Sequence, residues 1–342
     1  MYLFDFLRGE SLFEKIRYIA TDLSLQFGKG HRSELFKIQF DSYKDWSFDG
    51  PVELVQLPSF YFSSKSGVYL FSKGEIYRIW GLPSFGVAMR GSENKVFVSS
   101  TVRYGRFKAD QIFSFDFDTG MARKYSGLLR HNVHQIDWVD GMLYATECYY
   151  NSIAVINSDG LLIKRLYPAG FGLHKPRSGN YKHFNSIYSD GVYIWVFAHN
   201  KSKSVHDGVV YSDRPSQVCK LDMSGSVISW IEVNAINGHN IYVDEDGAMY
   251  YCDSGGSNSF QKDGKVQFEM PGWYVRGLAV CDDFYFIGGS QIGGEDVRQN
   301  GSGKISVLDP FFTPVGEFNM KGVGQIYDIR FKKRDKSSSA NK

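Results

Sequence analysis

Polar side chains that can bind ligands or take part in catalysis stand directly before several apolar segments of this sequence. Four of them lie two residues before an aliphatic residue of an apparent strand: His134 before Ile136, Asn185 before Ile187, His239 before Ile241 and Arg276 before Leu278. Histidine acts as acid, base or nucleophile near neutral pH, and arginine offers a bidentate fork to a carboxylate, sulfate or phosphate. Brought together, such residues predict a concave site that binds or processes a small anionic or carbohydrate-like ligand.

Further residues of the same types extend this set. His183 lies two residues before Asn185 and by strand alternation points the same way. Lys201 belongs to the insertion AHNKSKSVHDGVVYSDRPS, which either covers the site or is a plain solvated loop. We predict three catalytic residues, His134, His183 and His239, and five ligand-binding residues, Asn185, Arg276, His131, Gln325 and Lys201.

Two other functions compete with this one. The neutral imidazoles of His134, His183 and His239 would together bind a divalent transition metal and leave open positions for a lyase or hydrolase reaction, although their spacing matches no zinc-finger or H-E-x-x-H motif. The third alternative is a non-catalytic protein-interaction scaffold. Residues 11–27 carry a capping-box pattern and a helical apolar stripe, and this predicted helix either packs on the domain or docks a protein partner. Whether the chain is an enzyme therefore stays open.

The elements that must position these residues repeat along the chain. Segments that read as strand, tight turn and strand start at residues 85, 134, 185, 239 and 276, and most are followed by a third strand. A four-stranded antiparallel unit repeated every ~35–55 residues is typical of a propeller blade. Because the first strand of each blade lines the central channel, the starts of these strands are expected to face one common mouth.

The two ends of the chain supply one more blade. QIYDIRF (325–331) reads as an innermost strand, and residues 59–80 read as the strands that follow it; joining them removes the open edges of the ring. We predict an all-β fold, a six-bladed β-propeller closed by strands from both termini, with a short N-terminal helix. Seven blades is the alternative if residues 36–56 form extra strands. The expected domains are a helical extension (1–50), the propeller (51–332) and a disordered basic tail (333–342).

Composition excludes several classes of partner. A formal net charge of +2 indicates neither a nucleic-acid nor a membrane surface. No window is apolar enough for a membrane span, and charged residues interrupt the start of the chain, so we expect no signal peptide. The four cysteines are widely spaced and read as free thiols of a reducing compartment, which predicts a cytoplasmic protein.

Three consecutive motifs carry a family resemblance: HFNSI, GHNIYVDEDGAMYYCDSGGS and MPGWYVRGLAVCDDFYFIGGSQ. In this order they resemble an uncharacterised family of bacterial β-propellers, a domain of unknown function with His-x-Asn and Arg-Gly-Leu-Ala strands. The resemblance covers about residues 183–291 and departs from the family pattern around His239. It implies a propeller with a site at these residues, but no reaction.

A second and weaker resemblance is to the arylsulfate sulfotransferases, which are also six-bladed propellers. The run His183-Phe184-Asn185-Ser186 is similar to the His-x-Asn-Ser of that family. The resemblance implies that His131 or His134 stands for an earlier histidine and that His239 is the nucleophile that carries a sulfuryl group. Arg276 follows His239 and Lys201 lies nearer the expected place of the arginine. Because those enzymes are exported, sulfotransfer itself is not predicted here.

Overall fold

Six antiparallel sheets form the blades of a propeller. The structure, a computed structural model, describes residues 35–90, 93–104, 107–130, 132–170, 182–199, 205–206, 209–210, 215–281 and 283–331. Each sheet has four or five strands, and the innermost strand of every blade contacts those of its two neighbours around the ring. The predicted six-bladed β-propeller is confirmed. The predicted helix at 11–27 and the tail at 333–342 lie outside the described residues.

Strands are given from the channel outward, with blades numbered in chain order. Blade 1 consists of Ile326–Phe331, Phe60–Ser64, Gly67–Ser72, Glu75–Trp80 and Asp41–Ser42. Blade 2 consists of Ser84–Met89, Lys95–Tyr104, Phe107–Asp116, Met121–Leu129 and Leu35–Lys37. Blade 3 consists of Val133–Val139, Met142–Glu147, Ser152–Ile156 and Leu162–Leu166.

The second half of the ring has the same order. Blade 4 consists of Phe184–Ser189, Ile194–Ala198, Gln217–Leu221 and Val227–Glu232. Blade 5 consists of Gly238–Val243, Met249–Asp253, Ser259–Lys262 and Lys265–Glu269. Blade 6 consists of Trp273–Cys281, Phe284–Gln291, Gly303–Leu308, Pro314–Met320 and Trp46–Asp49. The other described elements are a two-stranded sheet (Val205–His206 and Val209–Val210), 3₁₀ turns at Leu54–Gln56 and Cys148–Tyr150, and the helix α1, Glu295–Asn300.

Both ends of the propeller sequence meet in blade 1. Strand Ile326–Phe331 pairs antiparallel with Phe60–Ser64, so the closure expected from the sequence is confirmed. Residues 35–49 add an outer fifth strand to three blades and form no seventh blade. These strands lie in the stretch 1–50 that we assigned to an N-terminal extension, and the division into domains stays a prediction.

Apolar clusters between neighbouring blades hold the ring together. At the junction of blades 6 and 1, the buried rings of Phe60 and Phe286 lie 4.9 Å apart, and Phe71 contacts Phe318 at 5.0 Å. Burying one such side chain stabilises a fold by about 1.5–3 kcal/mol. This packing joins the blades that carry the side chains at the channel. No helix among the residues described is long and apolar enough to span a membrane.

Candidate functional site

A β-bulge at the start of every innermost strand explains why polar residues precede each apolar strand. In all six blades the pairing register with the second strand shifts at this point. Such a bulge adds a residue and re-aims side chains, and bulges are frequent beside active sites. Two consecutive residues occupy the aligned bulge positions of each blade, and we call them the first and second members of a pair. The six pairs are Phe85–Gly86, His134–Gln135, Asn185–Ser186, His239–Asn240, Arg276–Gly277 and Tyr327–Asp328.

Three of the first members, His134, His239 and Arg276, and two neighbouring histidines form a chain of contacts around the channel mouth. Arg276 of blade 6 reaches His134 of blade 3, with 3.0 Å between Nη2 and Nδ1. The rings of His134 and His183 lie 4.9 Å apart, and His183 stacks on His199 at 4.4 Å. His199 Nε2 lies 3.1 Å from His239 Nε2. Four imidazoles and one guanidinium from four blades therefore contact one another in sequence.

The chain of contacts is buried. The exposed fraction is 1% for His239, 3% for His199 and at most 9% for each of the other members, His134, His183 and Arg276. In such surroundings hydrogen bonds and charges act in a low dielectric and are stronger than in water. A ligand that reaches these groups would be bound largely out of water.

The hydrogen bonds around His239 assign its neutral tautomer. Ser254 donates its single hydroxyl proton to the carbonyl of Val275, so Ser254 Oγ, 2.8 Å from His239 Nδ1, accepts from that nitrogen. Neutral His239 therefore carries its proton on Nδ1 and a lone pair on Nε2, which accepts a hydrogen bond from His199 Nε2–H. An imidazole oriented through Nδ1–H, with Nε2 unprotonated, has the form required of a general base or nucleophile.

Arg276 assigns the opposite tautomer to His134. A guanidinium only donates, so Nδ1 of His134 is the acceptor and the neutral ring carries its proton on Nε2. His134 thus offers a donor, whereas His239 offers an acceptor. The ring of Phe85 stacks on His134 at 5.6 Å and 6°, which fixes the plane of that donor.

The positive charge of Arg276 has little to balance it. The guanidinium carbon lies 4.7 Å from the ring centre of Tyr327, and no carboxylate within the described ranges is at ion-pair distance. Burial is the main cause that lowers the pKa of Arg276. Burying a cation without a counter-ion costs several kcal/mol of folding free energy. An anion bound at this site would offset that cost.

The backbone is strained at His183, another member of this chain of contacts. His183 has a φ of 54°, a left-handed conformation that is unfavourable for a residue with a Cβ. The buried Asn151 side chain maintains it, because Asn151 Oδ1 accepts hydrogen bonds from the backbone N–H groups of Lys182 (2.9 Å) and His183 (3.1 Å). Strain of this kind costs about 1–3 kcal/mol and is concentrated at functional sites.

Three of the second members, Gln135, Asn240 and Asp328, form a polar belt that joins the blades. Asp328 of blade 1 accepts from Gln135 Nε2 (2.8 Å) and from the backbone N–H of Val87 (3.1 Å), and Gln135 Oε1 accepts from the N–H of Ile187 (2.7 Å). Asn240 accepts from the N–H of Gly277 at 2.9 Å. Because these side chains are buried and bonded to one another, they hold the innermost strands in register.

Only some of the site residues predicted from sequence lie together in the structure. His134, His183, His239 and Arg276 are brought together. Asn185 instead lies between blades 4 and 5, where its amide donates to the carbonyl of Gly238 at 2.6 Å and its oxygen accepts from Ser186. His131 and Lys201 lie outside the described residues, and the roles assigned to all of these residues stay predictions.

Sequence reasoning overlooked three contributors. His199 was considered only as part of the insertion that either covers the site or is a solvated loop. It directly follows the second strand of blade 4 and donates its backbone N–H to the carbonyl of His183. Cys148 was read as a structural thiol, but its Sγ lies with ligand nitrogens of His134 and His183 inside one group whose atoms are all within 4.8 Å. Tyr327, not Gln325, occupies the aligned position of blade 1. Strand alignment of that blade on Ile329 would have found Tyr327.

Comparison with known structures supports the architecture. A chain of a nidogen/laminin complex superposes with a TM-score of 0.58 at 11% sequence identity, covering 81% of this chain and 99% of the other. A functionally unknown protein from Desulfotomaculum acetoxidans DSM 771 gives a TM-score of 0.46 at 12% identity, over 88% and 91% of the two chains. The first likeness shows the fold alone, and the second carries no argument.

No family model and no curated protein matches the sequence. The resemblances to the uncharacterised propeller family and to the arylsulfate sulfotransferases therefore stay predictions.

Proposed function

We propose that the propeller binds a small molecule with an anionic group at the mouth of its channel. The observation that carries the proposal is the buried guanidinium of Arg276, which bonds to His134 and lacks a carboxylate partner among the described residues. A carboxylate, sulfate or phosphate would supply the missing charge and would accept charge-assisted hydrogen bonds from the guanidinium. A neutral saccharide would not compensate the buried cation, so an acidic or esterified sugar fits better than a plain one.

His239 is the residue that we propose for chemistry on the bound ligand. Its Nδ1–H is held by Ser254, and its Nε2 carries the lone pair. A ligand that displaces His199 would bring its reacting atom to this nitrogen. His239 would then act as a general base or as a nucleophile, while the Nε2–H of His134 donates to the anionic group.

Calorimetric titration tests the binding proposal directly. Wild-type protein is titrated with sulfate, phosphate and glucuronate, beside Arg276→Gln and beside Arg78→Gln, which removes the same charge from a half-exposed outer strand of blade 1. We expect at least one anion to bind to wild type and to Arg78→Gln, and Arg276→Gln to lose at least about tenfold in affinity, as the loss of a charge-assisted bond predicts. Equal binding by Arg276→Gln, or no binding to wild type, would overturn the proposal.

A second candidate function is metal binding, favoured by the group of His134, Cys148 and His183. Thiolate and imidazole ligands suit Zn²⁺. His134 would have to give up its bond from Arg276, because that bond uses Nδ1 and leaves the proton on Nε2. His239 does not belong to this group, so the ligand set differs from the three histidines predicted from sequence.

Elemental analysis separates the two candidates. If a metal is bound, wild-type protein contains near-stoichiometric zinc that Cys148→Ser loses, while Cys219→Ser, which changes a buried thiol in the apolar core of blade 4, retains it. Equal metal contents in the three proteins would exclude this candidate.

We also propose a reducing compartment, the cytoplasm, for this chain. All four cysteines are reduced thiols, and three of them are buried. Burial raises the pKa of the Cys219 thiol to about 12, so this group stays protonated and unreactive. Thiol titration of protein denatured without reductant should find four thiols per chain; fewer would contradict the assignment.

A further inference from the structure

A second basic side chain stands beside the site, on the helix α1 of blade 6. Trp273, at the start of the innermost strand, pairs with Gln291 at the end of the second strand, so the segment that follows Gln291 emerges at the mouth of the channel. That segment contains α1 and its Arg298. The guanidinium carbon of Arg298 lies 5.0 Å from the ring centre of Tyr274, and the same ring contacts His239 at 5.9 Å.

Arg298 has an unpaired donor. Its Nε is shielded from solvent and has no hydrogen-bond partner. The carboxylate of Asp296, on the same helix, accepts a hydrogen bond from Asn300 at 2.6 Å. The positive charge of Arg298 acts on Arg276, whose pKa it lowers beyond the larger effect of burial. Two like charges therefore flank Tyr274, which is unfavourable unless an anion lies near them.

An unpaired donor adjoins this helix from blade 1. Gln325 is 6% exposed, and its Nε2 is buried without a hydrogen-bond partner. The residue before it, Gly324, donates its backbone N–H to the carbonyl of Gly301 at 2.9 Å, directly after α1. A buried donor without an acceptor costs about 1–3 kcal/mol, so such groups call for a partner.

We infer that Arg298 and Gln325 bind a second anionic group of the ligand, while Arg276 and His134 bind the first. The inference rests on the proposed function and narrows it: the substrate class becomes small molecules with two anionic groups, such as sugar bisphosphates or sulfated uronic acids. The aromatic faces of Tyr274 and Tyr327 lie under the two guanidinium groups and hold them in place.

Titrations with two matched probes, glucose 6-phosphate and glucose 1,6-bisphosphate, test the inference, because they differ only in the second phosphate. Wild type and the charge control Arg78→Gln should bind the bisphosphate at least about tenfold more tightly, since the second group gains its own charge-assisted bonds. Arg298→Gln should lose this preference and keep its affinity for glucose 6-phosphate. Gln325→Leu should lose part of the preference.

The outcomes separate the inference from the proposed function. If Arg298→Gln retains the full preference for the bisphosphate, or if wild type binds the two probes equally, the second group has no site there and the inference fails while anion binding stands. If wild type binds neither probe but binds sulfate, phosphate or glucuronate, the inference fails and the proposed function stands; if it binds none of these anions, both fail. If Arg276→Gln loses both probes and Arg298→Gln loses only the preference, both hold.

Discussion

Two buried arginines provide a test of whether Arg276 serves the ligand or the fold. Arg165 in blade 3 lies 2.9 Å from a carboxylate oxygen of Glu147, and the exposed fractions of the two side chains are 6% and 0%. Arg276 is equally buried but donates to a neutral imidazole. Replacing each with glutamine removes the same charge from a similar environment, so the two variants are matched.

The expected losses differ because of what each substitution leaves behind. Arg165→Gln leaves the buried Glu147 carboxylate with the Arg130 guanidinium at 3.9 Å and a hydrogen bond from the Ser152 hydroxyl. Breaking a buried ion pair costs about 3–5 kcal/mol. Arg276→Gln loses a charged hydrogen bond of about 1.5–3 kcal/mol and a desolvated cation–π contact of about 2 kcal/mol. It also removes a burial cost of several kcal/mol, so we expect a net change within about 1 kcal/mol of either sign.

Urea denaturation at pH 7 without added anions measures both free energies of unfolding. Added sulfate or phosphate would obscure the comparison by stabilising wild type. A loss for Arg276→Gln as large as that for Arg165→Gln would refute the reasoning, because it would make Arg276 a structural cation whose charge is already balanced in the folded protein.

Three further predictions concern the supports of the site. Gln135→Glu places a second carboxylate against Asp328 and should lower the free energy of unfolding by about 2–4 kcal/mol at pH 7. The loss should be smaller in acid, where the two carboxyl groups share a proton. Urea midpoints that fall equally at both pH values would contradict this. Burial alone would raise the pKa of Glu147, but its two arginines hold that pKa below the usual value. Glu147→Gln should therefore lower the free energy of unfolding at pH 7, and this loss should shrink as the pH falls below about 4.5. A loss that does not change with pH would contradict this prediction. Ser254→Ala should release the Nδ1–H tautomer of His239, visible in ¹⁵N spectra; an unchanged tautomer would show that Ser254 does not orient the ring.

Much of the site could be predicted because it follows a local pattern. His134, His239 and Arg276 hold equivalent places before the first apolar residue of successive strands, and the same offset recurs because each blade has a bulge at that point. Alignment of the repeats therefore identifies them without knowledge of the ring. The alignment was less secure for the closing blade, where Gln325 was chosen although Tyr327 is the aligned residue.

The sequence by itself determined the repeat, the closure by both ends and the level at which polar side chains enter the channel. These depend on strand periodicity and turn chemistry, which are properties of neighbouring residues. The choice of six blades over seven came from the structure, in which residues 35–49 join three existing sheets. Only the tertiary structure decided which side chains touch: Arg276 reaches His134 across 142 positions of sequence, Asn185 bonds between blades, and His199 joins the chain from a second strand. Such contacts depend on how closure of the ring brings separate blades together, and no local pattern encodes that distance.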